Sequence, residues 1–88
     1  MPMPRMKVTN THGFEISELT RLAARTREPY TRQTLTSVVM TLQGIPAETI
    51  AETLGCSRVS VRRRVHRWNE KGMEATKDHR GRQQELIH

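Results

Sequence analysis

The chain has 88 residues, a single cysteine (Cys56), and 15 Lys and Arg against 9 Asp and Glu, for a formal net charge of +6. That length allows one domain at most, and one cysteine excludes an internal disulfide. No stretch approaches the roughly 20 apolar residues of a membrane span, and Met1-Pro2-Met3-Pro4-Arg5 lacks the apolar run of a signal peptide.

These features predict a soluble, cytoplasmic protein. With only Phe14, Tyr30 and Trp68 as aromatics, the apolar supply suits an all-α bundle of three or four helices better than a sandwich or barrel. Residues 1–57 hold 6 Lys and Arg against 5 Asp and Glu, whereas residues 58–88 hold 9 against 4. Five arginines fall between Arg58 and Arg67, and no acid stands between Glu52 and Glu70. A solvated helix face usually interleaves acids with its bases, so this block points to a polyanionic partner.

In chain order, residues 1–14 read as a flexible N-terminal arm, with 6–9 extended or a short strand. Ser17 is expected to cap a first helix to about residue 24, with Ile16, Leu19, Leu22 and Ala23 on one side. Pro29 opens a second helix, a position where proline is tolerated. Leu35, Val38, Val39 and Leu42 recur on it at i, i+3, i+4 and i+7, the mark of one buried stripe. Gly44 ends it.

A third helix is expected over about 46–54, with Ile50, Ala51 and Leu54 inward and Gly55 as its stop. Ser57 then caps a fourth helix to about Lys71, whose inward stripe is Val61, Val65 and Trp68. The helical unit spans 15–72, and 73–88 reads as a basic tail or linker.

Residues 50–61 carry the functional signal. Two short helices crossing through a 3–4-residue turn approach closely and need a small residue at the crossing, which Ala51 supplies. The turn needs a residue at ease with positive φ, which Gly55 supplies. This pattern predicts a helix-turn-helix similar to that of homeodomains. With the Val61/Val65/Trp68 stripe inward, Val59, Arg63, His66 and Arg67 point out and Arg58 and Arg62 flank them.

An α-helix fits the major groove, and recognition helices touch bases mainly through their N-terminal residues. Ser57, Arg58, Val59, Arg62 and Arg63 are therefore the candidate base contacts, Val59 against a thymine methyl. His66, Arg67 and Lys71 are the candidate phosphate contacts. Arg5 and Lys7 in the arm, and Arg80 and Arg82 in the tail, are candidates for a minor groove.

The expected partner is thus double-stranded DNA, with a homodimer as the usual way for one such unit to gain affinity. No membrane or small-molecule partner, cofactor or metal is expected. Cys56 reads as a small buried apolar group, and His12, His66, His79 and His88 lack the spacing of a zinc site.

On these residues the chain resembles the N-terminal DNA-binding part of bacterial mariner-related insertion-sequence transposases, over roughly 19–82; paired domains of the Pax type share its logic. The similarity rests on the aliphatic stripe from Leu35 to Leu42, on Gly44, and on a run of the form IA-x-x-L-G-x-S-x-x-T-V. Residues 50–61 match that run with Ser60 in place of threonine, and Arg67-Trp68, Gly72-Met73, Asp78 and Gly81-Arg82 continue the pattern. Three positions depart from it. Pro46 replaces a capping Ser or Thr, Thr76 replaces a leucine, and Arg64 stands where a bulky aromatic is common. Arg64 is expected to snorkel or to pair with Glu48 or Glu52.

The resemblance implies binding to transposon-end DNA, followed in full-length relatives by a second helix-turn-helix and an acidic catalytic domain. Metal-assisted strand transfer needs clustered carboxylates, and Asp78 is the only aspartate, so no catalytic residue is expected here. The roles that fit are a transposase DNA-binding domain or a small transcriptional regulator. The alternatives are a non-catalytic transposase fragment, or a module that docks RNA or an acidic protein on the arginine face.

Overall fold

The computed structural model describes residues 7–76. Its helices are α1 (Ile16–Arg25), α2 (Pro29–Leu42), α3 (Ala47–Leu54) and α4 (Arg58–Lys71), followed by a 3-10 turn over Gly72–Thr76. There is no strand among the described residues, so the all-α bundle is the observed class. None of their helices is long and apolar enough to cross a membrane.

Local chemistry sets the ends of the helices. α1 begins two residues earlier than a Ser17 cap would place it. Glu15 occupies the cap position, and its backbone N–H donates to Glu18 Oε1 at 3.0 Å, half of a capping box. Ser17 therefore lies inside the helix. Leu19 and Ala23 are buried as expected, but Ile16 stays 40% exposed.

α2 and α3 end alike. Gly44 N–H donates to Thr41 O and Ile45 N–H to Met40 O; Gly55 N–H donates to Glu52 O and Cys56 N–H to Ala51 O. Each pair of bonds is a Schellman closure, which requires a left-handed residue at the end of the last turn. Gly44 (φ +86°) and Gly55 (φ +69°) fill that place. The apolar residue after each glycine, Ile45 or Cys56, then turns back onto the core.

The core has two parts. Leu19, Ala23, Leu35, Val38, Val39 and Trp68 join α1, α2 and the far half of α4. Ile50, Ala51 and Val61 join α3 to the near half of α4, with Met40, Ile45, Leu54 and Cys56 packed around them. Trp68, Leu35, Val38, Ile50, Val61 and Val65 are essentially inaccessible. Each such side chain contributes roughly 1.5–3 kcal/mol relative to exposure.

Residues 7–14, expected in the N-terminal arm, lie against the bundle. Trp68 Nε1 donates to Asn10 O at 2.9 Å, His12 Nε2 lies 2.7 Å from Trp68 O, and Val8 and Phe14 pack on the first cluster. A buried indole N–H needs an acceptor, and the arm backbone provides it.

Residues 73–76, expected in the tail, pack on the bundle. Ala75 and Thr76 are buried, Met73 joins the core, and Thr31 Oγ1 donates to Thr76 O at 2.7 Å.

Candidate nucleic-acid interface

The turn between α3 and α4 is Gly55, Cys56 and Ser57. Ser57 Oγ accepts from Ser60 N–H at 3.1 Å and starts α4, the cap that a serine before a helical run favours. Val61 and Val65 pin α4 to the bundle, which turns its other side to solvent. Arg58, Val59, Arg62, Arg63, His66, Arg67 and Lys71 are all exposed, Val59 by 63%.

Their surroundings are not equal. Arg58 Nη1 meets Glu48 Oε1 on α3 at 2.9 Å, an ion pair with both side chains largely in water. His66 Nε2 lies 3.2 Å from Glu70 Oε1, one turn on. Arg67 Nη1 donates to the Tyr30 hydroxyl at 3.1 Å. Ser57, besides capping, donates from its hydroxyl to Ser60 Oγ. Arg62 and Arg63 have no hydrogen-bond or ion-pair partner among the described residues.

Arg58 also sits in the first turn of α4, which holds no acid. The helix macrodipole favours acids there by roughly 0.3–1 kcal/mol. This charge placement therefore works against the helix by itself and in favour of an anion beside it.

Arg64 does not pair with Glu48 or Glu52. Its Nη1 donates to Cys56 Sγ at 3.4 Å and its guanidinium lies 5.7 Å from the centre of the Tyr30 ring. Glu48 is engaged by Arg58, and the Arg64 stem lies on the side of α4 that faces α2.

Of the arm and tail candidates, Lys7 is exposed, with its backbone carbonyl accepting from Asn69 Nδ2 at 2.9 Å. Arg5, Arg80 and Arg82 lie outside the described residues. Tyr30 and Asn69 are the residues sequence reasoning passed over. Both act through side-chain contacts to residues distant in sequence, which leave no periodic trace. No group of three or more His, Cys, Asp or Glu side chains that could hold a metal occurs among the described residues.

Comparison with curated proteins gives no match, and comparison with solved structures gives none. The family model of the homeodomain-like domain matches residues 31–77, from the first turn of α2 past the 3-10 turn, and leaves out α1 and the arm. That is over half of the chain, and it covers α3, α4 and all of α2 but its first two residues. The chain therefore belongs to the homeodomain-like family, a class of helix-turn-helix domains that bind DNA.

Proposed function

We propose that this domain recognises a specific double-stranded DNA sequence with α4 in the major groove. The observation that carries the reading is the start of α4. Arg62 and Arg63 stand exposed without partners among the described residues, beside the outward Val59. An arginine forked onto guanine O6 and N7 needs a free guanidinium, and a thymine methyl needs an apolar contact.

Arg62, Arg63 and Val59 are the leading base contacts. Arg58 joins them when DNA draws it from Glu48, and Ser57, whose hydroxyl already caps the helix, contributes least. His66, Arg67 and Lys71 hold phosphates along the far half of the helix. Arg5, Arg80 and Arg82 in the flanking segments are the minor-groove candidates, whereas Lys7, whose carbonyl is bonded to Asn69 on α4, is assigned to the duplex backbone instead. The protein would act as the DNA-binding part of a transposase of the mariner-related kind, or as a small bacterial regulator, binding a two-fold site as a homodimer.

Selection of bound duplexes from a randomised pool at near-physiological salt tests this. Recovery of one motif is expected, and Arg63→Ala should relax the preference at one position by about 1–3 kcal/mol. If no motif emerges and binding vanishes as salt rises, the arginine face makes phosphate contacts only.

A further inference from the structure

Asn69 makes a pair of contacts that neither the core nor the arginine face accounts for. Its Oδ1 accepts from Thr9 N–H at 2.8 Å and its Nδ2 donates to Lys7 O at 2.9 Å. The side chain thus serves the arm as a neighbouring peptide group would. Together with the two bonds at Trp68, four hydrogen bonds from consecutive residues of α4 fix residues 7–12.

The placement matters. Asn69 follows Arg62 by seven residues, which is within about 20° of two full turns and about 10 Å along the axis. The arm therefore lies along the edge of α4 that carries Arg62, and Lys7 extends that edge with one more exposed cation.

We propose that Asn69 is a positioning residue for DNA binding, holding Lys7 so that its ammonium and the arginines of α4 form one preformed surface for the duplex backbone. The inference rests on the DNA-binding reading above. Both Asn69 bonds are solvent-exposed. Water would satisfy these groups almost as well, so the bonds add little net stability. What they determine is position. A free arm would lose its conformational freedom only on meeting DNA, and that loss would weaken binding. A docked arm has lost it already.

The test combines Asn69→Ala, Lys7→Ala and the double variant in the intact chain. Each is titrated with the selected duplex across a range of salt, and exchange of the Thr9 amide reports the docking. Asn69→Ala should expose the Thr9 amide and leave cooperative melting in place. It should also lower the salt slope by about 1 and weaken binding about five-fold at 0.15 M salt, the effect of one lost phosphate contact. Lys7→Ala should weaken binding equally with the Thr9 amide still protected, and the double variant should be no worse than either single.

Additive losses, or unchanged binding once the Thr9 amide is freed, would overturn the inference. Lys7 is exposed and its replacement leaves the fold intact, so it provides a test even if Asn69→Ala misfolds. An unchanged slope in Lys7→Ala, with Arg63→Ala impaired, sinks the inference and leaves the DNA reading standing. An intact chain that binds no duplex sinks both.

Discussion

Replacing Gly72 by alanine should be among the most damaging single-methyl changes in this domain. Gly72 follows α4 with φ +63° and ψ −134°, a combination that side-chain-bearing residues rarely hold and that costs of order 1–3 kcal/mol. A Cβ there would also stand 2.9, 3.0 and 3.2 Å from His12 Cγ, Nδ1 and Cδ2. The ring must then move away from the Trp68 carbonyl and from its edge-on contact with the indole, 5.4 Å between centres. Losing that hydrogen bond costs about 0.5–1.5 kcal/mol more.

The sum is about 2–4 kcal/mol, a fall in Tm of roughly 10–25 °C for a domain of this size. Gly55→Ala is the internal control. Gly55 is also left-handed, at φ +69°, but nothing lies within 4 Å of its would-be Cβ, so only a backbone cost of about 1–2 kcal/mol applies. Melts followed by circular dichroism of Gly72→Ala, Gly55→Ala, His12→Ala and the His12/Gly72 double variant would settle the comparison. The double variant should recover about 1 kcal/mol relative to additivity, because the clash has gone. A Gly72→Ala protein that melts at or above Gly55→Ala, or a cycle with no coupling, would refute the packing argument.

Three further outcomes follow from individual contacts. Arg67→Ala should weaken binding to all duplexes alike and lower the salt slope by about 1, read by titrating specific and random duplexes in parallel. Glu48→Gln releases Arg58 from an exposed pair, so folding stability should fall by no more than about 1 kcal/mol. Duplex affinity should rise over the same salt series, and weaker binding would show that the pair presents Arg58 to the DNA. Thr34 is fully buried, and its Oγ1 has no hydrogen-bond partner among the described residues. Thr34→Val should therefore gain about 1 kcal/mol in urea unfolding, by removing an unmatched hydroxyl.

The parts of the fold that were legible in the sequence are those where one residue type answers one steric demand. The Leu35–Val38–Val39–Leu42 stripe, the left-handed glycines at 44 and 55, and the Ser57 cap each leave a local signature, and each is found where expected. The start of α1 was misplaced because serine is the commoner cap, whereas here Glu15 and Glu18 cap the helix together. The docked arm was illegible for a different reason. Its anchors are the carbonyls of Lys7 and Asn10 and the N–H of Thr9, and backbone groups look the same at every residue. The one available signal was Trp68. An indole on the inward stripe carries an N–H that the apolar core cannot satisfy, so some segment had to deliver an acceptor to it.

The same distinction governs the candidate site. Read linearly, the stretch from Arg58 to Arg67 is an unbroken block of positive charge. Folding divides it. Glu48 and Tyr30 lie 10 and 37 residues from the arginines they meet, Arg58 and Arg67, distances over which no charge-pattern rule operates. Such exposed contacts are worth about 0–1 kcal/mol each, far less than what two or three charge-assisted bonds to DNA return. On the proposed reading, they hold the arginines in the free protein and yield when a duplex arrives. Arg62 and Arg63 have nothing to yield. Sequence preference should therefore be strongest at the base pairs they face, and pairs read by Arg58 should tolerate mismatch more readily, since Glu48 competes for its guanidinium.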